Sequence, residues 1–448
     1  MFSKLNLRLV YTIFSSLLII TGTLLAIQYA KGNLRLTKKG VVQGSGLLAA
    51  NSFPPGAQVF IDGQLNTATD DTLYLKPGTY EIEIKKEGFW PWQKTLQIQQ
   101  ELVTQTNAQL FPIAPSLTPL TFTGVDKTNP SPDGNKIIFY VASSSTEARS
   151  GLYTLELSNN LLPFNKQAQQ VAFDSTQLFD FAHAQFIWSP DSTQVMVITQ
   201  AKDVLLELGK KNDINLLPNS RRQREKLLSQ WEEEMYLRER QFLAKFPNEI
   251  IRIATASAKN VYISPDKKRL LYTATASTTL TEDLVPPVPA TNTQPEQRKL
   301  SAGNIYIYDR EEDKNFLVGQ EELTTSPEFT KISLANDLYL ESKSLETSPG
   351  EFKRLQAANI NQTIINFAQY HTPLYSHGLQ WFTDSKHLLY LTQGQVKIKE
   401  YDNSNDIVIY SGPFQNSFIY PWPDGSRLII LTSFSPDNTP NLYAIEMK

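Results

Sequence analysis

Hydrophobic and polar residues alternate in three different ways along this chain, and each pattern predicts a different structure. Residues Leu9 to Ala30 carry no charged side chain, which predicts a helix long enough to cross about 30 Å of hydrocarbon. Residues 31–50 are polar and contain glycine, so we expect a tether. From residue 51 onward, short apolar runs alternate with turn residues, the pattern of half-buried β-strands. The predicted fold class is therefore all-β with an N-terminal transmembrane helix.

The apolar run at residues 9–30 fits a membrane anchor better than a cleaved signal peptide. It is long for a signal peptide, and Gln28-Tyr29-Ala30 is a poor cleavage site because the first two of these residues are not small. Basic residues flank both ends of the run, so charge alone leaves the membrane orientation open.

Residues 51–112 have the pattern of a small β-domain. One apolar run, Val59 to Ile61, ends at Asp62-Gly63, a strong signal for a two-residue hairpin turn. A second run follows Pro77-Gly78, and its apolar residues are spaced two apart: Tyr80, Ile82 and Ile84. A last strand is predicted near Leu96 to Ile98.

This stretch resembles the PEGA domain in the order and spacing of its segments PPGAQVFIDG (54–63) and LKPGTYEIEIKKEGF (75–89). The family's Pro-Glu-Gly-Ala-like turn is replaced here by Lys76-Pro77-Gly78-Thr79. The resemblance implies a small β-sandwich at a bacterial cell surface that contacts surface polysaccharide or an envelope protein. It also favours an orientation with residues 1–8 in the cytoplasm and the bulk of the chain outside.

Two tryptophans, Trp90 and Trp92, lie just past the Gly-aromatic turn of this module. A pair of aromatic rings can form a platform for a sugar ring or for the side chain of a partner. The alternative is that both rings cap the sandwich core, since the resembled family often carries aromatic residues there.

One phrase recurs five times in residues 113–448. Each copy has an aspartate in a turn, three polar or turn residues and then an apolar run, with the aspartates at Asp133, Asp191, Asp266, Asp384 and Asp424. An aspartate carboxylate can accept hydrogen bonds from its own turn, and a proline before it fixes φ. The phrase therefore predicts a strand, a tight turn and a second strand. A third strand follows most copies, and weaker fourth strands are predicted at Ile250–Ile253, Phe316–Val318 and Ile407–Tyr410.

Four short antiparallel strands per repeat are typical of a propeller blade. The phrases resemble the WD-like repeats of TolB-type propellers, which implies a β-propeller over residues 113–448. We expect six blades, with five or seven remaining possible. The gap between Asp266 and Asp384 is too long for one blade, so residues 329–342 and 363–367 are predicted to form a degenerate one. Residues 117–124 are expected to close the ring beside the last strand.

Two insertions interrupt the predicted propeller. Residues 278–303 are rich in proline, threonine and glutamine, which predicts a mobile surface loop. Residues 219–249 predict one long amphipathic helix or a bent pair, with Asn219 as the N-cap. Its apolar stripe, which includes Trp231, Met235, Phe242 and Phe246, is a candidate for partner binding. The alternatives are packing against the chain itself and attachment to a membrane surface.

The composition of the chain mainly excludes certain partners and kinds of site. The chain has 42 Lys and Arg against 45 Asp and Glu, so no basic field indicates nucleic acid. It has no cysteine, which excludes disulfides, thiolate zinc sites and thiol nucleophiles. The common hydrolase, nucleotide-binding and zinc-protease motifs are missing, and His371 with His377 makes only a weak candidate for a metal site. We therefore predict no catalytic residue, cofactor or metal.

Together these features predict a non-enzymatic binding or scaffold protein of the bacterial envelope. In this hypothesis the propeller and inserted helix hold a protein partner, while the PEGA-like domain contacts surface polysaccharide or an envelope protein. The alternatives are a carbohydrate-active propeller enzyme and an inert structural spacer. The sequence leaves the ligand and the oligomeric state open.

Overall fold

A computed structural model describes most of the chain as two compact units. The described residues are 7–30, 35–36, 42–43, 45–142, 150–157, 168–174, 179, 181–289, 292–321, 379–392, 394–415, 418–434 and 439–448. The first unit comprises Met1–Phe111 and Pro286–Pro295, and the second comprises Pro112–Val285 and Glu296–Lys448.

The chain begins with helix α1, Leu7–Ala30, followed by the paired two-residue strands β1, Arg35–Leu36, and β2, Val42–Gln43. The α1 side chains of residues 11–27 are exposed. Among the helices in the described part of the chain, none combines the length and apolarity required to cross a membrane.

The first unit contains a small β-sandwich. Its strands are β3 Gly46–Ala50, β4 Ser52–Phe53, β5 Gln58–Ile61, β6 Gln64–Ala68, β7 Asp71–Leu75, β8 Gly78–Lys85, β9 Trp92–Ile98, β10 Val103–Gln105 and β11 Ala108–Gln109. One sheet has the order β6-β5-β8-β9 and is antiparallel, a second has the order β10-β3-β7, and β4 pairs with β11. Side chains from the two larger sheets share one core, which includes Leu48, Val59, Ile82, Ile84 and Leu96.

The predicted hairpin at Asp62-Gly63 joins β5 to β6. Both turn residues have positive φ, 49° for Asp62 and 77° for Gly63, as a hairpin turn of the mirror-image type requires. Ile82 and Ile84 are fully buried on one face of β8, so the predicted strand and its inward face are confirmed.

The second unit contains most of the strands and two further helices. Its elements are β12 Leu117–Pro119, β13 Asp126–Pro130, β14 Lys136–Val141, β15 Gly151–Glu156, β16 Gln169–Phe173, a 3-10 turn Phe181–His183, β17 Gln185–Trp188, β18 Gln194–Ile198, β19 Asp203–Glu207, α2 Arg224–Leu243, α3 Asn248–Ala256, β20 Ala258–Ile263, β21 Arg269–Ala274, β22 Thr278–Thr279, β23 Lys299–Leu300, β24 Asn304–Asp309, β25 Lys314–Gln320, β26 Gln380–Trp381, β27 His387–Thr392, β28 Gln395–Glu400, β29 Ile407–Ser411, β30 Ile419–Pro421, β31 Arg427–Thr432 and β32 Asn441–Glu446.

Strands β22 and β23 pair with each other, and the other strands form five sheets that each carry one copy of the repeated phrase. They are sheet I (β13-β14-β15-β16), sheet II (β17-β18-β19), sheet III (β20-β21-β24-β25), sheet IV (β26-β27-β28-β29) and sheet V (β12-β32-β31-β30). In each sheet the aspartate turn joins two neighbouring antiparallel strands, which confirms the strand-turn-strand prediction. Strand β12 pairs with β32, so the segment at 117–124 completes the last sheet as expected.

The turns themselves use the predicted chemistry. In three of them a serine two residues before the aspartate donates its hydroxyl to the carboxylate, at 2.5 Å for Ser131–Asp133 and 2.6 Å for Ser189–Asp191 and Ser264–Asp266. The Asp384 and Asp424 carboxylates accept the backbone N–H two residues later, at 2.8 Å and 2.9 Å. The aspartates are therefore structural turn residues.

Shared cores determine which sheets are neighbours within the second unit. Sheets I and II share one apolar cluster, sheets I and V share a second, and sheets III and IV share a third. Gly425, in the turn of sheet V, has a φ of 67° and lies against the Phe382 ring of sheet IV. A Cβ atom added to Gly425 would lie 3.3 Å from the nearest carbon of that ring. The spatial order is therefore III, IV, V, I, II.

In this order sheets III and IV are neighbours among the described residues, whereas a sixth, degenerate blade was expected between them. Leu271 and Ile307 of sheet III pack in one cluster with Trp381 and Leu388 of sheet IV. The residues proposed for that blade, 329–342 and 363–367, are outside the described residues.

Two further predictions about the helical insertion were wrong. Ile250–Ile253 is part of helix α3 and not a strand, because Ile250 and Ile253 lie one turn apart and are both buried on the same helix face. Sheet II consequently has three strands in the described residues. Asn219 does not cap a helix: the N-cap of α2 is Gln223. The insertion is a bent pair of helices with Pro247 between them.

Candidate interaction surfaces

A shallow cleft of about 680 Å³ lies in the first unit where the start of β5 meets the connection between β8 and β9. It is lined by Gly56, Gln58, Lys85, Lys86, Glu87, Phe89 and Pro91. Alternation along β5 and β8 explains two of these positions: the inward residues fill the core, so Gln58 and Lys85 are left at the surface.

Two ammonium groups are held at this cleft. Lys85 lies opposite Gln58 across the strand pair, contacts the Glu83 carboxylate at 2.8 Å, and has its Nζ 5.0 Å from the centre of the Phe60 ring. Lys86 donates to the backbone carbonyl of Pro55 at 2.5 Å. These contacts position two cations beside an amide and an aromatic edge. Such a set can bind anionic or hydrogen-bonding groups.

The two tryptophans of the first unit do not form an exposed pair. Trp92 is 3% exposed and is part of the sandwich core. Trp90 is half-buried, and its backbone N–H donates to Phe111 O at 2.8 Å. The core-capping interpretation therefore describes Trp92, whereas Trp90 is half-buried with its indole nitrogen inside the unit.

The apolar stripe of the helical insertion packs on its own unit. Trp231 and Met235 lie in one cluster with Ile187, Met196 and Ile198 of sheet II. This placement corrects the expectation that the stripe faces a partner. The physical reason is that the outer face of sheet II is itself apolar.

The second half of the stripe packs on sheet III. Phe246 is buried with Ile250 and Ile253 of α3 against Tyr306 and Tyr308. Phe242 is half-buried, and the Lys267 ammonium lies 4.7 Å from the centre of its ring. The helix pair thus fills the space between sheets II and III.

What α2 leaves exposed is a different face. Tyr236 is 60% exposed and Leu237 is 48% exposed. These residues were not predicted as site residues, because the sequence pattern shows an apolar stripe but does not indicate which of its neighbours is left uncovered.

A buried carboxylate holds the start of α2. Asp203 in β19 is fully buried, and its two carboxylate oxygens lie 3.0 Å from Arg224 Nη1 and 3.6 Å from Arg221 Nη2. Asn219 Oδ1 accepts the backbone N–H of Asp203 at 3.2 Å, which explains its position better than a helix cap. The sequence signal for this site was an aspartate opening an apolar strand, and it was missed.

One buried histidine is paired with a repeat aspartate. His387 Nδ1 lies 2.6 Å from Asp384 Oδ2, and the same carboxylate accepts the backbone N–H groups of Lys386 and His387. Burial acts to raise the pKa of Asp384, but His387 and the two N–H groups together hold that pKa below its ordinary value. The pair occupies the same place as the other repeat turns, so we interpret it as structural.

Within the described ranges, no three His, Cys, Asp or Glu side chains are grouped to hold a metal ion. His371 and His377, the weak metal candidates of the sequence, fall outside those ranges.

Comparison with known families identifies one stretch. Residues 45–113 match the PEGA domain model, which confirms the resemblance based on the segments at 54–63 and 75–89. The match covers the β-sandwich of the first unit. No curated protein sequence matches the chain.

Solved structures similar to the chain include TolB proteins. One, assigned as TolB from Agrobacterium tumefaciens, is 13% identical with a TM-score of 0.19, and the alignment covers 69% of this chain and 70% of that one. TolB from Acinetobacter baumannii is 11% identical with a TM-score of 0.19, and the alignment covers 82% of this chain and 61% of that one. Oligogalacturonate lyase from Vibrio parahaemolyticus is 9% identical with a TM-score of 0.19, covering 92% of both chains. At these TM-scores none of the three carries an argument, and the fold described above depends on strand pairing alone.

Proposed function

We propose that this chain is a non-enzymatic binding or scaffold protein of a bacterial envelope, anchored in the cytoplasmic membrane by its N-terminal helix with the bulk of the chain outside. The PEGA match at residues 45–113 supports the envelope location. The uncharged run from Leu9 to Ala30 supports the anchor.

The ligand of the first unit is a surface polysaccharide that carries acidic groups. The observation that carries this proposal is the cleft whose lining includes Lys85, Lys86 and Phe89. Ammonium groups form charge-assisted hydrogen bonds with carboxylates and phosphates, and an aromatic ring packs on a sugar ring. Strand β8 holds Lys85, and the hydrogen bond to Pro55 O holds Lys86, so the two ammonium groups are held in place for an acidic ligand.

A protein partner of the second unit would use the exposed face of α2. Tyr236 and Leu237 are the large exposed side chains there, and the stripe beneath them holds the helix in place. Tyrosine is enriched among the residues that carry most of the binding energy of an interface, and a helix face that presents apolar side chains is a common docking element.

The test measures binding of the full chain in detergent to an acidic polysaccharide and to a neutral one of similar length. The double variant Lys85→Ala/Lys86→Ala removes both ammonium groups, and Lys76→Ala, an exposed lysine outside the cleft, is the matched control. We expect the double variant to weaken binding by about tenfold or more, and the control to leave it unchanged. Equal binding by both variants would show that the cleft is not the site. Equal binding of the neutral polymer would show that the ligand class is wrong.

A further inference from the structure

The outer edge of β9 in the first unit is covered by side chains from a distant part of the sequence. β9 is the last strand of the β6-β5-β8-β9 sheet, with β8 as its strand partner in the described residues. Residues 286–295 belong to the same compact unit. They bring Thr293 and Gln294 to this edge.

Three hydrogen bonds define the contact. Thr293 Oγ1 donates to Thr95 O at 3.2 Å and accepts from the Gln97 backbone N–H at 3.4 Å. Gln294 Nε2 donates to Thr95 O at 2.9 Å. Backbone groups in an antiparallel strand alternate in direction, so those of Thr95 and Gln97 both point away from β8. These are the groups that an added strand would use.

The Thr293 hydroxyl makes the two hydrogen bonds that one residue of an added strand would make. A parallel strand would place a residue opposite Leu96, with its N–H bonded to Thr95 O and its C=O bonded to the Gln97 N–H. One hydroxyl, acting as donor and acceptor, makes both bonds. The segment thus satisfies the edge without joining the sheet.

The composition of the segment prevents the ladder from continuing. Residues 286–295 read PPVPATNTQP, with four prolines. Proline has no backbone N–H to donate, and natural proteins use it to protect sheet edges.

β9 has no such protection of its own on its exposed face. Its outward side chains are Gln93, Thr95 and Gln97, which are exposed and uncharged. Its one charged residue, Lys94, points inward and is 9% exposed. An uncharged, exposed edge strand is a template for pairing with another copy.

We propose that residues 292–295 are a cis-acting guard of the β9 edge: Thr293 and Gln294 occupy the backbone groups through which a second copy of this chain would pair. The β9 edge is occupied by the chain's own residues 292–295. Loss of the Thr293 and Gln294 side chains exposes the backbone groups of Thr95 and Gln97, so that β9 of one copy can pair with β9 of another. This inference is independent of the polysaccharide cleft, because none of the residues that line the cleft makes the three hydrogen bonds at the β9 edge.

The test compares the full chain in detergent with Thr293→Val/Gln294→Ala, which removes all three hydrogen bonds. Thr293→Ser, which keeps the hydroxyl, is the matched control. Amide hydrogen exchange of β9 peptides and the mass in solution are both measured. In the double variant we expect the Gln97 amide to exchange roughly tenfold faster at dilutions where the chain is monomeric, and a concentration-dependent dimer to form at higher concentration. The control is expected to match the unchanged chain in both measurements.

A third variant locates the association. Adding Thr95→Lys to the double variant puts a charge on the edge and is expected to restore the original mass. Association that persists in this triple variant runs through another surface and overturns the proposal. Unchanged exchange at Gln97 in the double variant overturns the occupancy itself, and faster exchange without any dimer overturns the guarding role.

Discussion

Ser192 Oγ accepts a hydrogen bond from the backbone N–H of Asp133 at 3.1 Å, and this bond joins the turns of two different sheets. The same relationship recurs between sheets III and IV, where the Asp266 N–H donates to Ser385 Oγ at 2.9 Å. In both cases the serine follows the aspartate of its own turn. The repeated phrase therefore encodes a contact between neighbouring sheets as well as a turn.

Two other contacts repeat between the same pairs of sheets. Lys136 Nζ donates to Ser192 O at 3.2 Å, and Arg269 Nη1 donates to Ser385 O at 3.1 Å. The indole N–H of Trp188 bonds to Asn129 O, and that of Trp381 bonds to Tyr262 O. Sheets III and IV thus meet in the same way as sheets I and II, although far more sequence separates them.

Replacing Ser192 with alanine is expected to lower the free energy of unfolding of the second unit by about 1–3 kcal/mol. The hydroxyl is buried, and its loss leaves the Asp133 N–H without this partner. Serine already has the positive φ of 59° at this position, and alanine has the same Cβ, so the substitution adds little backbone strain. Urea unfolding measures the change.

The matched control for this prediction is Ser229→Ala on the exposed side of α2, which we expect to change stability by less than about 0.5 kcal/mol. If Ser192→Ala is as stable as the unchanged chain, the hydrogen bond between the sheets contributes nothing.

Local patterns predicted the strands well because their causes are local. The Asp62-Gly63 hairpin and the aspartate turns follow from which residues tolerate positive φ or bond to their own turn. The packing of sheet III on sheet IV could not be predicted in this way, because Asp266 and Ser385, which contact each other across the two sheets, are far apart in sequence. Counting blades from the spacing of the aspartates therefore gave no sign that these two sheets are in direct contact.

The packing of the helical insertion could not be predicted from local patterns either. Its apolar stripe was identified correctly as a set of residues, but the sequence does not say which apolar surface covers it. Sheet II provides that surface through Ile187 and Met196. The short run around Ile250 was ambiguous between strand and helix, and its packing against sheet III decides in favour of the helix.

Removing the Asp203 carboxylate is expected to loosen α2. Asp203→Ala leaves Arg224 without its buried partner, but Arg224 is 25% exposed and can be hydrated, so we expect a cost below the ~3–5 kcal/mol of a fully buried ion pair. We expect faster hydrogen exchange throughout residues 224–243 and a red shift in the fluorescence of Trp231 as its ring becomes wetter. The second unit should unfold at lower urea concentration.

The control for the Asp203 prediction is Glu234→Ala. Glu234 pairs with Arg238 on the exposed side of α2 at 3.0 Å, with side chains 54% and 44% exposed. Surface pairs of this kind contribute at most about 1 kcal/mol. If the amides of α2 exchange equally slowly in Asp203→Ala and in Glu234→Ala, Asp203 does not hold the helix.

The Asp384–His387 pair predicts a dependence of stability on pH. The folded-state pKa of Asp384 lies below its ordinary value, so its ionised form is preferred by the folded state. The stabilisation is therefore fully present above the ordinary carboxyl pKa of about 4, and it is lost as pH falls through the lower, folded-state pKa. Asp384→Asn should be less stable than the unchanged chain at pH 7 and should lose less stability on acidification.

Urea midpoints measured from pH 7 down to pH 3 test this prediction. Asp283→Asn, at an exposed carboxylate in the same unit, is the matched control and should keep the acid dependence of the unchanged chain. Parallel curves for Asp384→Asn and the unchanged chain would mean that Asp384 contributes nothing to the acid response.

The proposed anchor and orientation can be tested with single cysteines, because the chain has none of its own. Leu65 is 58% exposed in the first unit, so Leu65→Cys presents a reactive thiol there without disturbing the core. A maleimide that cannot cross membranes should label this variant on intact spheroplasts if the bulk of the chain is outside. A cysteine at Ser3 should react only after the cells are opened, since residues 1–8 are placed in the cytoplasm.

Deleting residues 1–30 completes the test, because it removes the uncharged run that is proposed to hold the chain in the bilayer. The full chain should remain with the membrane pellet at alkaline pH, and the deletion variant should move to the supernatant. Labelling of the Leu65 variant only after opening the spheroplasts would reverse the proposed orientation. Release of the full chain by alkaline extraction would mean that residues 9–30 do not anchor it, whatever the orientation.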